Sequence, residues 1–291
     1  MTGPEANVPS IRHLSQDISN PKLETRNTYF MFERFRQRSY ELEHLDKGDY
    51  TPEEYEGCLV ELRRINDWLG DTRALRQTLL TEIEDLNLQE FSIIDVGAGS
   101  GELLRAAAEW ARESARTGNF VGVELNKRSA RAIAEESQEF SEISAVQGDG
   151  FRLPFADQTF DYAICSLITH HFKDGDVIAF LRELNRVARR AIYVIDLVRH
   201  PVPYYFYTTI GRLFLHNRLI REDGALSILR SFTPDELEKL AERAELKEIK
   251  VIKTFPARLV LNAKASPVRA AAGALPTPGS VSARMVAGDA R

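Results

Sequence analysis

The run "IIDVGAGSGELL", Ile93 to Leu104, is apolar until three glycines interrupt it at every second position, Gly97, Gly99 and Gly101, after which a helical pattern resumes. Residues without a Cβ tolerate unusual dihedrals and let a ligand come close to the backbone at the start of a helix. A dinucleotide fingerprint G-x-G-x-x-G would need a third glycine at position 102, where this chain has Glu102. A pyrophosphate there would meet the carboxylates of Glu102 and Asp95, so the turn suits a cationic or zwitterionic ligand better than an anionic one.

Two further acidic residues follow at informative distances. In "FVGVELNKRS", Glu124 falls at the predicted end of a strand, where a carboxylate can accept hydrogen bonds from both hydroxyls of a ribose. In "VQGDGFRLPFADQTFDYAICSL", Asp149 falls just beyond the next strand, at the carboxyl edge where open α/β sheets bind ligands. Asp149 before Gly150 is also a common turn pair, and Phe151 suits either a nucleobase face or the core.

The D-x-G-x-G-x-G turn, the acidic strand end and the "GD…LPF…FD" series, in this order, resemble the class I S-adenosylmethionine-dependent methyltransferases. The resemblance is to the small-molecule subgroup of ubiquinone/menaquinone (methyltransferase type 11-like) type, and it covers about Phe91 to Asp196. It implies S-adenosyl-L-methionine as cofactor, held by Asp95, Gly97, Ala98, Gly99, Gly101, Glu124, Leu125, Asp149, Gly150 and Ser166. Asp95 would then serve the amino-acid end, Leu125 the adenine face and Asp149 the adenine amino group. The family's sheet has seven strands, the last antiparallel.

Methyl transfer is an in-line displacement at an activated carbon, for which an enzyme supplies alignment and a dry site. A phenol or enol acceptor must also lose a proton, and histidine is the usual base near neutral pH. "SLITHHF" puts His170 and His171 just past the fourth strand, the edge that faces the sulfonium in the resembling family; His171 is the slightly preferred candidate. Asp196, His200, His216 and Asp223 are alternatives that no spacing constrains. Structural packing of both histidines is the competing reading.

The elements that would carry these residues follow from the hydrophobic rhythm. Strands are expected at 91–96, 120–124, 143–147, 160–166 and 191–196, and helices at about 101–116, 127–138 and 175–188. That alternation predicts an α/β fold, a Rossmann-like parallel sheet with helices on both faces. Two late runs, "LKEIKVIKTF" and "ARLVLNAK", are joined too tightly for a crossover and should pair antiparallel.

Before the sheet, residues 26–90 are expected to form a helical cap, and Thr51, Pro52 and Glu54 match a capping box ahead of Leu59, Leu62, Ile65 and Leu69, with Gly70 as the stop. Residues 1–25 are expected to be a flexible arm and 264–291 a disordered tail. The segment at about 197–231 is expected to be an irregular insert. Its "YYFYTTIGRLFLH" stretch is too aromatic for an exposed loop and should cover the acceptor, while Arg199, Arg212, Arg218, Arg221 and Arg230 are candidate carboxylate partners.

Composition narrows the function classes. The chain has 291 residues and a formal net charge of −5, which argues against a nucleic-acid partner. The N-P-P-[YF] signature of amino-methylating nucleic-acid enzymes is replaced by "CSLITHH". Cys58 and Cys165 have neither disulfide-framework nor metal-ligand spacing, so no metal and a reducing, cytoplasmic setting are expected. No run approaches the ~18 apolar residues of a membrane span, and the oligomeric state is not encoded legibly. The expected activity is O- or C-methylation of a small aromatic, phenolic or quinone-like acceptor. The competing classes are a dinucleotide-dependent oxidoreductase and a non-catalytic module that binds S-adenosylmethionine.

Overall fold

In the computed structural model the described residues are 33–54, 57, 58, 61 and 70–266. The chain divides into two units, Met1–Gln37 and Arg38–Arg291. In the first, the described part is a short turn in which the Arg36 amide donates to the Glu33 carbonyl at 3.0 Å. The second holds a seven-stranded sheet: β1 Glu90–Val96, β2 Thr117–Glu124, β3 Ile143–Gln147, β4 Phe160–Ser166, β5 Ala188–Leu197, β6 Lys247–Thr254 and β7 Arg258–Lys264.

The strand order is β3-β2-β1-β4-β5-β7-β6. β1 to β5 pair in parallel, whereas β7 lies antiparallel between β5 and β6. The order reverses at β1, so the crevice outside the carboxyl ends of β1 and β4 is where a ligand of such a sheet binds. The antiparallel closing pair read from the sequence is present. β2 and β5 start three residues earlier than their apolar runs, since Thr117–Asn119 and Ala188–Arg190 extend the ladders without adding an apolar signal.

Alternation along the strands feeds two cores. Ile94 and Val96 of β1 and Ala163 and Cys165 of β4 face one side, with the helices Asp174–Val187 and Pro234–Arg243 packed there through Val177, Phe180, Leu181, Leu184, Leu237 and Leu240. Ile93 and Ile164 face the other side, against Leu104, Ala107, Ala108 and Ala111 of the helix Glu102–Glu113. Thr233 caps the helix Pro234–Arg243 through a capping box with Glu236, worth about 1 kcal/mol.

Ahead of the sheet, the Thr51–Glu54 capping box forms, Glu54 N–H donating to Thr51 Oγ1 at 3.2 Å and Thr51 N–H to Glu54 at 3.0 Å. Leu59, Leu62, Ile65 and Leu69 lie outside the described residues, as do the arm 1–25 and the tail beyond 266. Residues 38–43 form no regular element where the sequence pattern predicts helix, and a one-turn helix His44–Lys47 follows. Gly70 takes a left-handed conformation, φ 88°, and opens the helical run that continues through Asp85; its Ala74, Leu75, Leu79, Leu80 and Ile83 complete the second core.

The segment after β5 corrects one expectation: it is helical, not irregular. Helices cover Pro201–Phe206, Arg212–Phe214 and Arg218–Arg230, with a π-helical turn at Tyr207–Gly211 between the first two. His200 and Asn217 supply the caps, accepting from the amides of Val202 and of Leu219 and Ile220 respectively, which the irregular hydropathy of the stretch conceals. Among the described residues, no helix is long and apolar enough to cross a membrane.

Candidate active site

The glycine turn is built by backbone hydrogen bonds that hold it against β2. Gly97 and Ala98 donate to the Val123 carbonyl at 2.8 and 3.3 Å, and Gly101 donates to Ala98 at 2.8 Å. Gly97 and Gly101 have φ of 79° and 84°, in the region that favours glycine. A Cβ on Gly97 would lie 2.6 Å from Ile168 Cδ1, whereas one on Gly99 would meet nothing within 4 Å. The turn is therefore closed on the side of the β4 loop and open over Gly99.

The three acidic candidates end up in different environments. Asp95, at the end of β1, is buried, and its Oδ1 has no hydrogen-bond partner. Burial, with Glu124 and Asp71 adding repulsion, pushes its carboxyl up to about 8, and a cation brought beside it would favour the ionised form. Glu124 accepts from the Gly99 amide at 2.7 Å, tying the tip of the turn to the end of β2. Burial raises its pKa, against hydrogen bonds from the Gly99 and Leu125 amides that lower it. Asp149 is exposed and accepts from the Phe151 amide at 2.9 Å, the turn role that its Gly150 neighbour suggests.

Around them, the Gly148 amide donates to the Glu124 carbonyl at 2.9 Å and brings the β3 loop beside the end of β2. A Cβ on Gly150 would lie 2.8 Å from Val96 Cγ1, so this loop packs directly on the end of β1. Phe151 joins an aromatic cluster, 5.0 Å from Phe172 and 5.6 Å from Phe180; it takes the core role of the two open to it. Leu125 is exposed at the same edge, and Ser166 Oγ, at the end of β4, is buried without a partner.

The histidines lie on a 3-10 turn, Thr169–His171, which Leu167 enters with φ 53°. A non-glycine residue in that region is strained, a cost usually met at functional turns. His170 is buried, and its Nδ1 is 2.7 Å from Oδ1 of Asp196 at the end of β5. Asp196 also accepts from the His170 amide at 3.0 Å, from the Leu197 amide at 2.7 Å and from the Thr169 hydroxyl. Burial works to raise its pKa, but His170 and these donors outweigh burial and bring it down to about 2. An ionised carboxylate only accepts, so Nδ1 carries the hydrogen and Nε2 is left as the basic nitrogen.

His171 stacks on His170, ring centroids 4.3 Å apart, and its Nδ1 lies 3.6 Å from Asp46 Oδ1, beyond a hydrogen bond. The sequence ranks His171 slightly ahead of His170; the geometry gives the oriented imidazole to His170. Of the alternatives, Asp196 orients His170, His200 caps a helix, Asp223 accepts from the His44 and Leu45 amides, and His216 is exposed.

Sequence reasoning misses the segment that closes over this turn. Arg38 donates to the His170 carbonyl at 3.3 Å, the Phe172 carbonyl at 3.1 Å and Asp174 at 2.8 Å, and its guanidinium lies 3.9 Å from the Phe232 ring centroid. Arg230 donates to the His171 carbonyl at 3.1 Å and to Asp46 at 2.7 Å, with Glu43 at 3.7 Å. Burial raises the Glu43 pKa. Burial acts on Asp46 in the same direction, but His171 and Arg230 outweigh it and hold that carboxyl well below the usual range. Glu43, His170 and His171 bring one nitrogen or oxygen each within 4.8 Å of one another. Among the arginines after β5, Arg199 holds the Ser231 carbonyl and Glu236, and Arg218 holds Glu54. These arginines bind the fold together.

Comparison with known proteins bears on the domain that carries this edge. Residues 93–191, about a third of the chain, match the methyltransferase domain family. The chain is 34% identical over 140 residues to a demethylmenaquinone methyltransferase of Corynebacterium kroppenstedtii, covering 44% of this chain and 56% of that protein. It is 29% identical over 104 residues to the enzyme of the same name from Bacillus licheniformis, covering 36% and 43%. The chain thus spans about half the length of these curated relatives. Among solved structures it resembles the CurJ carbon methyltransferase, with TM-score 0.56, 10% identity and coverage of 85% of this chain and 72% of that one.

The sheet has the class I fold seen in S-adenosylmethionine-dependent methyltransferases, and residues 93–191 match the methyltransferase domain family. S-adenosyl-L-methionine is the cofactor of that class, and the residues present fit it. The orphaned, buried Asp95 Oδ1 suits an ammonium, and the open backbone at Gly99 admits a ligand beside Glu124.

Proposed function

We propose that the chain methylates a small acceptor with an acidic O–H or C–H, phenolic, enolic or quinone-like, using S-adenosyl-L-methionine. The observation that carries this reading is the Asp196–His170 pair on the turn after β4, at the sheet edge that also presents the glycine turn and Asp95. S-adenosyl-L-methionine supplies, when bound, a methyl group on a positively charged sulfur. Asp95 answers its ammonium, Glu124 its ribose hydroxyls, and Leu125, Asp149, Gly150 and Ser166 border the base and the methyl path. His170 Nε2 would take the acceptor's proton as its oxygen or carbon gains the methyl group, the C–S bond breaking to a neutral sulfide, and Asp196 would steady the imidazolium.

The menaquinone-type relatives support a ring acceptor, because the activity in their names is methylation of a quinone-type compound. The Arg38–Asp46 segment packs on this turn through the Arg38–Asp174 pair and the largely buried Arg230–Asp46 pair, beside a His170 ring that is itself buried.

The test is turnover of purified protein with a panel of phenols and hydroxyquinones, read as S-adenosylhomocysteine formed, beside calorimetry with S-adenosylhomocysteine. Turnover on a ring acceptor is expected. Micromolar binding with no turnover anywhere on the panel would make the chain a binding module, and tight NADH binding without S-adenosylhomocysteine binding would make it an oxidoreductase.

A further inference from the structure

The helical run from Pro201 to Phe214 carries its apolar side outward. Val202, Phe206, Ile210, Leu213 and Phe214 are 68%, 59%, 46%, 74% and 71% exposed. Their spacing of four, four, three and one keeps them within one face of a helix. The inner side is already used: Tyr207 donates to the Ile220 carbonyl of the following helix, and Leu215 packs with Leu219, Ile220 and Cys58. An aromatic cover over an internal cavity would point these rings inward, so the expectation of a buried lid does not describe this face.

Charge gives the face a second property. From Leu197 to Arg221 the sequence contains no aspartate or glutamate, in a chain with 43 of them. Of the cations in the same stretch, Arg199 is buried against Glu236 and Arg218 pairs with Glu54, which leaves Arg212 and Arg221 to set its charge. The acids nearest its inner end are engaged: Glu54 holds Arg218, and Glu61 accepts from the His216 and Asn217 amides. Arg212 is exposed and flanks this face next to Leu213 and Phe214 in the sequence.

Position adds a third. The helix leaves β5 at the carboxyl edge of the sheet, and Leu197 pairs with Arg258, which also pairs with Thr254. The β6–β7 turn therefore emerges at the same edge, and its Phe255 is 74% exposed. Monomeric proteins rarely expose contiguous apolar faces of this kind unless something binds there. A face of phenylalanine and leucine with arginine and no acid is the composition of an interfacial helix, which buries its rings at the headgroup boundary.

We propose that the Pro201–Phe214 face docks on an anionic lipid surface, placing the carboxyl edge of the sheet, and the methyl-transfer site on it, against the bilayer. Phe206, Leu213 and Phe214 enter the interface, and Arg212 meets acidic headgroups. Docking is independent of turnover and stands or falls apart from the proposed reaction.

The experiment is flotation of the full-length protein with vesicles of phosphatidylcholine alone and of phosphatidylcholine with phosphatidylglycerol, at low and high salt. The expected result is recovery with the phosphatidylglycerol vesicles, weakened by salt. The triple variant Phe206→Ser, Leu213→Ser, Phe214→Ser should lose at least tenfold in partitioning, and Arg212→Glu should lose selectivity for the anionic vesicles. S-adenosylhomocysteine affinity and melting temperature, unchanged in both variants, show that the fold is retained. Absence of wild-type binding to either vesicle, or equal binding by the triple variant, overturns the proposal. So does a dimer in light scattering that the triple substitution dissociates while vesicles capture nothing, since the face would then belong to a second copy of the chain.

Discussion

His170 Nδ1 lies 2.7 Å from Asp196 Oδ1, and Asp196 also takes the His170 main-chain amide, so one carboxylate fixes both the ring and the backbone of the same residue. The consequence is a defined tautomer. Asp196→Asn can present an amide N–H to Nδ1 and reverse it, removing the basic Nε2. His170→Gln and Asp196→Asn should each lower kcat by about 100-fold or more, with S-adenosylhomocysteine affinity within about threefold of wild type. A loss in affinity equal to the loss in kcat would assign the pair a structural role.

Asp95 and Asp196 should respond to pH with opposite signs. The raised Asp95 pKa, about 8, means that ionising this carboxyl costs folding energy, so its contribution to stability is present below the ordinary carboxylate range and is lost as pH rises toward 8. The lowered Asp196 pKa, about 2, gives stability that is present above about pH 4 and lost as pH falls toward 2. Asp95→Asn should therefore raise the melting temperature of the ligand-free protein at about pH 8.5 and abolish the gain in cofactor affinity with pH. In the wild type, that affinity should rise up to about tenfold per pH unit between roughly 6 and 8, since the ammonium binds the ionised form. Calorimetry across that range, with a flat profile as the contrary result, decides it.

Gly97 is the glycine of the turn with the least room. Alanine there must adopt φ 79° and put its methyl 2.6 Å from Ile168 Cδ1, so strain of about 1–2 kcal/mol adds to a steric contact. Gly97→Ala should lower cofactor affinity at least ~10-fold, and Ile168→Ala in the same chain should recover only part of it, because the backbone strain persists. Full recovery would show that the contact alone mattered. Gly99→Ala, whose methyl meets nothing within 4 Å, should leave the ligand-free fold less disturbed than Gly97→Ala.

Asp95 and the turn glycines are legible in the sequence because local rules place them. A strand that ends in Asp95 and a turn of alternating glycines form a contiguous signal, and β-branched runs alternating with helical ones announce a parallel sheet. Asp149 and Phe151 are legible only as ambiguities, and the fold puts the first in a turn and the second in the core. Arg38, Glu43 and Asp46 give no such signal. Arg38 meets the His170 carbonyl across 132 positions and Asp46 meets Arg230 across 184, and the stretch that bears them reads as the start of a helical region. The aromatic run at Tyr204–Phe214 misleads in direction, since composition reports that rings need covering but not which side of a helix they occupy.

Arg230 holds that distant segment in place. Its guanidinium is buried, donates to the His171 carbonyl and to Asp46, and lies 3.7 Å from Glu43, while its own carbonyl accepts from Arg38 at 2.7 Å. Removing the cation leaves Glu43 and Asp46 as buried, uncompensated carboxylates, a loss of about 3–5 kcal/mol in comparable pairs. Lysine keeps the charge but not the fork, so Arg230→Lys should also fail to hold both the carbonyl and the carboxylate. Arg230→Met should lower the melting temperature steeply, and adding Glu43→Gln and Asp46→Asn should restore much of it, because the stranded charges are gone. The restored triple variant then separates folding from positioning. If the arginine fixes the histidine turn, kcat stays depressed although the melting temperature recovers; if it serves stability alone, both return together.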